Sequence, residues 1–169
     1  ESCVWEAAVE VFGPRELLPR WEDALARAGS RPVSDETAEV LRVEAGRPLL
    51  GKDADESNLP GEVGLERAIS ATKGCYVGQE VIARLRTYGR VNRRLVGFRF
   101  PDRPAPEGAS YPNPEKPDHA LARVTSVVAS PRFGAIGLGL AFRDVPQGAS
   151  VTDPAHPEWT AVVVPLPFA

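Results

Sequence analysis

Methionine is absent from all 169 residues, cysteine and histidine occur twice each, and aromatic residues make up only 7% of the chain. The missing methionine predicts a processed chain or a fragment, because a natural reading frame opens with one. Cys3 and Cys75 stand far apart in dissimilar surroundings, which excludes a disulfide framework and points to an intracellular, cytoplasmic location. His119 and His156 lie in proline-rich stretches, read as loop residues, and have no metal-pair or Cys–His spacing, so no metal site is expected. No apolar run approaches the roughly eighteen residues of a membrane span. The first residues lack a basic stretch followed by an apolar one, so no secretory signal is expected. Walker loops, zinc spacings and Ser/His/Asp signatures are also missing. A net charge of −3 argues against a generic nucleic-acid binder.

What is present is ordinary for a soluble globular protein: 43% hydrophobic and 25% charged residues, enough for one domain or two small ones. Seventeen prolines, concentrated after residue 100, separate short apolar runs and predict strands and turns rather than disorder there.

Residues 4–12 read as a strand stopped by Gly13-Pro14. Leu17, Trp21, Leu25 and Ala28 recur at helical spacing, with Pro19 at the favoured first position and Gly29 as the stop. Ser34 caps a second helix carrying Ala38, Leu41 and Ala45 on one face, closed by Gly46. Residues 51–64 are polar and glycine-rich, hence a loop. Val81, Ile82, Leu85 and Tyr88 suit an amphipathic helix between Gly78 and Gly89. After Asn92 the period changes: 95–100, 120–129, 135–142, 149–152 and 160–164 are strand-like runs. The fold class expected is α+β, an α+β portion over 1–90 followed by a small antiparallel β-barrel over 91–169.

Three places could carry chemistry. Lys73-Gly74-Cys75-Tyr76-Val77-Gly78-Gln79-Glu80 leads into a helix start, where free amides favour an anion and a thiol beside a lysine can be activated. The alternative is a plain glycine turn with Cys75 as a small buried apolar residue. Residues 81–100 hold six arginines (84, 86, 90, 93, 94 and 99) and no acid, a site for carboxylates, phosphates or RNA, or else a set of solvated charges. Glu44 sits near a helix C-terminus, where the macrodipole opposes a carboxylate, so it is either held by a partner or a surface residue.

The octapeptide Lys73–Glu80 resembles the K-G-C-[YF]-x-G-Q-E signature of the YgfZ branch of the folate-binding, aminomethyltransferase (glycine cleavage T-protein) superfamily. Five other segments agree. Leu41–Gly46 with Pro48-Leu49 resembles L-R-x-E-A-G-x-P-L, and Asn58–Leu65 resembles N-x-P-x-E-x-G-L. Arg93–Phe98 resembles R-x-L-V-G-F, and Val124–Ser130 with Ile136–Ala141 resembles V-T-S-x-x-x-S with I-G-L-x-x-A. The likeness covers almost the whole chain and the second half of the family.

The resemblance implies a central folate channel, with tetrahydrofolate or a one-carbon-substituted folate as cofactor. Glu44 would contact the pterin, Arg93 and Arg94 would face the folate or its glutamate tail, and Tyr76 and Glu80 would complete the binding set. Lys73 and Cys75 match the branch's functional pair and are the candidate catalytic residues; nucleophile, transient cluster ligand and redox thiol all stay open for Cys75. The implied role is support of iron–sulfur enzymes and tRNA modification, with iron–sulfur tRNA-modifying enzymes as partners. Aminomethyl transfer in glycine cleavage is the alternative, and direct tRNA binding by the arginines is the least favoured. The family's N-terminal half, with the transferase's catalytic Asp, has no counterpart here.

Overall fold

The computed structural model describes residues 12–70, 72–87, 91–113 and 116–169. The strand expected over 4–12 thus lies outside the described residues, Phe12 excepted.

Helix α1, Leu18–Arg27, follows a 3-10 turn at Arg15–Leu17 and has its proline in the first turn, as expected. Its apolar face is not buried: Leu17, Leu18 and Leu25 are exposed. Helix α2, Asp35–Glu44, opens on Ser34, whose Oγ accepts the Thr37 N–H at 3.2 Å, with two acids in the first turn. The face expected from Ala38, Leu41 and Ala45 is only half-buried, and the buried residues are Val43 and Glu44. Helix α3, Gln79–Thr87, begins after Gly78, whose φ of +87° suits glycine. Its expected stop at Gly89, with Tyr88, lies outside the described residues.

The 51–64 segment has no helix or strand of its own, yet it is not a solvated loop: Asp53, Ala54, Glu62 and Val63 are all buried. The reason becomes clear at the sheet, to which two of these carboxylates are bonded.

Six antiparallel strands follow: β1 Arg93–Arg99, β2 Ser110–Asn113, β3 Lys116–Ser130, β4 Gly134–Phe142, β5 Ser150–Asp153 and β6 His156–Val164. Five match the expected runs; β2, with Pro112 in its centre, carried too little apolar signal. His119 and His156 belong to β3 and β6 rather than to loops, because the hairpin strands run on past their apolar stretches. The ladder order is β2-β3-β4-β1-β6-β5. Val96, Phe98, Tyr111, Val124, Val151 and Val163 bury one face in a common core. Edge strands β2 and β5 both feed that core, so the sheet is curled, and Tyr111 Oη donates to the Trp159 carbonyl at 2.7 Å. Among the described residues no ladder joins β2 to β5, so the expected barrel is here a curled sheet without hydrogen-bonded closure. Gly139 allows the curl, since a Cβ there would meet the Phe98 ring and the Arg123 carbonyl.

The outer face of the sheet seats α2. Val43 packs with Ile136 and Leu138 of β4 and with Phe168, a second apolar cluster.

Candidate functional site

The seating of α2 is fixed by charge as well as by apolar contact. Arg42 lies one residue before Val43, and its guanidinium grips Glu39 through two bonds, Nε to Oε2 at 2.7 Å and Nη2 to Oε1 at 2.8 Å. Its Nη1 donates to Asp53 Oδ2 at 2.6 Å and also to the Arg47 carbonyl, while Nη2 reaches Ser126 Oγ at 2.8 Å. Asp53 is fully buried and fully used: Oδ2 also accepts the Leu49 N–H at 3.0 Å, and Oδ1 takes the hydroxyls of Thr125 at 2.5 Å and Ser126 at 2.7 Å. Consecutive strand residues normally face opposite ways. A register shift between Val124 and Ser126 lets both hydroxyls reach one carboxylate. Lys52 closes the outer edge, donating to Glu39 at 3.0 Å and pairing with Glu107 at 2.8 Å. These cations, led by the Arg42 hydrogen bonds, hold the Glu39 carboxyl down at about 2.

Glu44 is the last residue of the helix so anchored. It is 8% exposed, so of the two readings of its sequence position the surface residue is excluded and the held carboxylate stands. Its Oε1 accepts the Ser130 hydroxyl at 2.5 Å, and its carbonyl accepts the Phe168 N–H at 3.0 Å. Among the described residues no hydrogen-bond donor is paired with Oε2.

The other predicted residues are distributed elsewhere. Arg93 lies in a cleft of about 720 Å³ between the 51–62 segment and the sheet, with Asp55, Asn58, His119 and Arg123. Its Nε is 3.5 Å from Glu62 Oε1, a long contact, and Glu62 is itself buried and accepts the Leu59 N–H. Arg94, on the core side of β1, donates through Nη2 to the Val145 carbonyl at 2.6 Å and has a buried Nε without a partner among the described residues. Of the remaining arginines, Arg99 lies over the Phe133 and Phe168 rings and Arg84 is exposed on α3.

Lys73, Cys75 and Glu80 are exposed, so the reading of Cys75 as a buried apolar residue is corrected. The Lys73 ammonium sits 4.5 Å from the Tyr76 ring centre, and the Tyr76 N–H is accepted by Gln79 Oε1 at 3.3 Å. The structure therefore pairs Lys73 with Tyr76 and isolates Glu44, Arg93 and Arg94 from that pair: no hydrogen bond or ion pair among the described residues joins them. Among the described residues no group of three or more His, Cys, Asp or Glu side chains could hold a metal, and no helix is long and apolar enough to cross a membrane.

Sequence reasoning passed over Arg42, Asp53, Ser126 and Ser130. The signal was present in the Leu41–Gly46 and Val124–Ser130 motifs, which contain three of the four, but a motif does not say which of its polar residues meet.

Comparison with known proteins bears on the fold. No protein-family profile matches the chain. It is 33% identical over 94% of its length to an aminomethyltransferase of Thermosynechococcus vestitus, and 35% identical over 96% to one of Rubrobacter xylanophilus. Its fold matches the glycine cleavage system aminomethyltransferase T of Bartonella henselae with a TM-score of 0.72 at 23% identity, over 89% of this chain. In each case the chain spans 43% of the other protein. The chain thus has the fold of the glycine cleavage aminomethyltransferase, or T-protein, family.

Proposed function

We propose that this chain is the folate-holding portion of a tetrahydrofolate-dependent protein of the aminomethyltransferase type, with Glu44 as the carboxylate that recognises the pterin. One observation carries the reading: a carboxylate is kept at the C-terminal end of a helix, where burial and macrodipole both oppose it, and is left with a free acceptor oxygen. A pterin presents an amidine-like edge of N–H donors, and a carboxylate matches such an edge with charge-assisted bonds. The residues present therefore fit the cofactor. Tetrahydrofolate, when bound, supplies the carrier nitrogens for a one-carbon unit. The chain's own part is to orient the ring through Glu44 and to hold α2 rigid through Arg42 and Asp53. Arg93, in its open cleft, and Arg94, whose Nε has no partner among the described residues, are the cations for the folate's carboxylates. The curled sheet takes the place of the family's C-terminal barrel.

The test is calorimetric titration of tetrahydrofolate into the intact protein and its Glu44→Gln variant. Affinity should fall roughly 10- to 100-fold, the ~1.5–3 kcal/mol of a hydrogen bond to a charged group. Equal affinity in the two proteins sinks the reading.

A second reading, the YgfZ-type accessory protein serving iron–sulfur tRNA-modifying enzymes, is favoured by the exposure of Cys75 beside Lys73 and Tyr76. In that role Lys73 and Cys75 act on a partner while Glu44 still binds folate, with Tyr76 and Glu80 shaping the loop. Cys75→Ala would then keep folate affinity and lose client activity, whereas a glycine-cleaving transferase would lose neither.

A further inference from the structure

The cleft beside the 51–62 segment does not include Glu44, and its walls hold charge that the fold leaves unused. Arg93 on β1 pairs across the ladder with Phe142 of β4, and Arg123 on β3 pairs with Leu140, so the two arginines flank one strand from either side. Neighbouring strands lie about 5 Å apart, which puts β1 and β3 roughly 10 Å from each other, a gap two arginine side chains can close. Leu121, Leu140 and Phe142 give the cleft an apolar lining. Arg93 has only its long 3.5 Å contact to Glu62, and the Arg123 guanidinium has no hydrogen bond or ion pair among the described residues. The other cations nearby are spent, Lys52 on Glu39 and Glu107, Arg42 on Glu39 and Asp53. Asp55 lines the cleft too. Its Oδ1 accepts the Ser57 hydroxyl at 2.6 Å and the Ser57 N–H at 2.8 Å. Those bonds, and after them the charges of Arg93 and Arg123, hold its carboxyl below the ordinary value. Both guanidiniums thus act on one carboxylate, and among the described residues no ion pair joins either of them to it.

We propose that this cleft binds an organic carboxylate, with Arg93 and Arg123 gripping the charged group and Leu121, Leu140 and Phe142 covering the apolar body. A guanidinium fork matches a planar carboxylate, and a half-apolar cleft with a few convergent polar groups is the usual form of a small-molecule site. A singly charged group suits it better than a phosphate dianion, because Asp55 and Glu62 already balance the two cations. Asp55 competes with the ligand for both guanidiniums and keeps the affinity down. The site shares Arg93 with the folate reading and does not rest on Glu44.

The experiment titrates benzoate, benzyl alcohol and inorganic phosphate into the intact protein, read by ligand-observed NMR. Benzoate should bind about tenfold or more tightly than benzyl alcohol, which has the ring without the charge, and more tightly than phosphate. Arg123→Gln should weaken benzoate about tenfold, the loss of a charge-assisted bond. Asp55→Asn keeps the oxygen that Ser57 needs and removes the competing charge, so it should tighten benzoate about two- to threefold. Arg123 and Asp55 are both exposed, so neither change disturbs the core, and Arg99→Gln, outside the cleft, should leave the affinity as it was. Undiminished affinity in Arg123→Gln, an equal loss in Arg99→Gln, weaker binding in Asp55→Asn, or preference for phosphate or benzyl alcohol overturns the proposal. Tetrahydrofolate is then added to the benzoate-loaded protein. Displacement identifies the carboxylate as the folate's own, and simultaneous binding identifies it as that of a separate acid; either supports the site. A protein that binds no tetrahydrofolate overturns the folate reading alone, and the benzoate titrations still decide this one.

Discussion

Helices α2 and α3 are of nearly equal length, and each carries a residue singled out from sequence, but the protein treats them in opposite ways. α2 is bolted to the sheet by a carboxylate that accepts four hydrogen bonds, and its Glu44 is buried and held. α3 and the loop before it expose Val77, Val81 and the Cys75 thiol. A site that recognises a rigid ring needs its groups fixed before binding, because ordering them afterwards subtracts from affinity. A group that meets a second macromolecule has to be reachable. The contrast separates a pre-set recognition carboxylate from an outward-facing thiol.

The largest effect should come from removing the bolt. Asp53→Ala leaves the Arg42 guanidinium short of a partner inside the protein and should cost about 3–5 kcal/mol, read as a lowered urea midpoint. On α3, Val81→Ser should change stability by less than about 0.5 kcal/mol, since Val81 is exposed. Similar losses at the two positions would erase the comparison. Acid probes the same bolt. Glu39 titrates near 4.5 in an unfolded chain and near 2 in the fold. Its contribution is therefore complete above about pH 4.5 and drains away as pH falls towards 2, roughly 1 kcal/mol at this half-exposed position. Glu39→Gln should flatten unfolding free energy against pH across that window.

Alkali probes the curled sheet instead. Burial, helped by Asp153, pushes the Tyr111 hydroxyl up to about 12. A group raised in this way stabilises the fold below about pH 10, and the stabilisation is lost as pH climbs towards 12. Tyr111→Phe should remove that slope. The smallest effect on stability belongs to the thiol. Cys75→Ala should leave the urea midpoint unchanged within about 0.5 kcal/mol, and Cys75 should react with a thiol reagent in the native protein nearly as fast as in denaturant. A protected thiol would place Cys75 with Glu44 rather than against it.

Much of this was legible in the sequence where a signal was local. Ser34 with two following acids announced the start of α2, Pro19 that of α1, and alternating runs gave five of the six strands. β2 was missed because Pro112 and its polar neighbours hide a strand that packs through Tyr111. Glu44 could be flagged, because an acid at a helix C-terminus is out of place, yet its partner lies far along the chain and only folding brings the two together. For the same reason Asp53 looked like one more polar loop residue. Its four donors come from α2, its own turn and β3, and no window of sequence contains them together.

One contact has a consequence for biosynthesis. The Glu44 carbonyl is closed by Phe168, and Leu166 lies where a Cβ on Gly46 would have to go. A ribosome adding roughly 5–20 residues each second delivers α2 several seconds before that closing segment leaves the exit tunnel. Through that interval the helix can form but its C-terminal end stays open to water and to chaperones. The helix end that carries Glu44 is thus closed well after the helix itself is made, and a chain stalled before Phe168 would lack the bond to the Glu44 carbonyl.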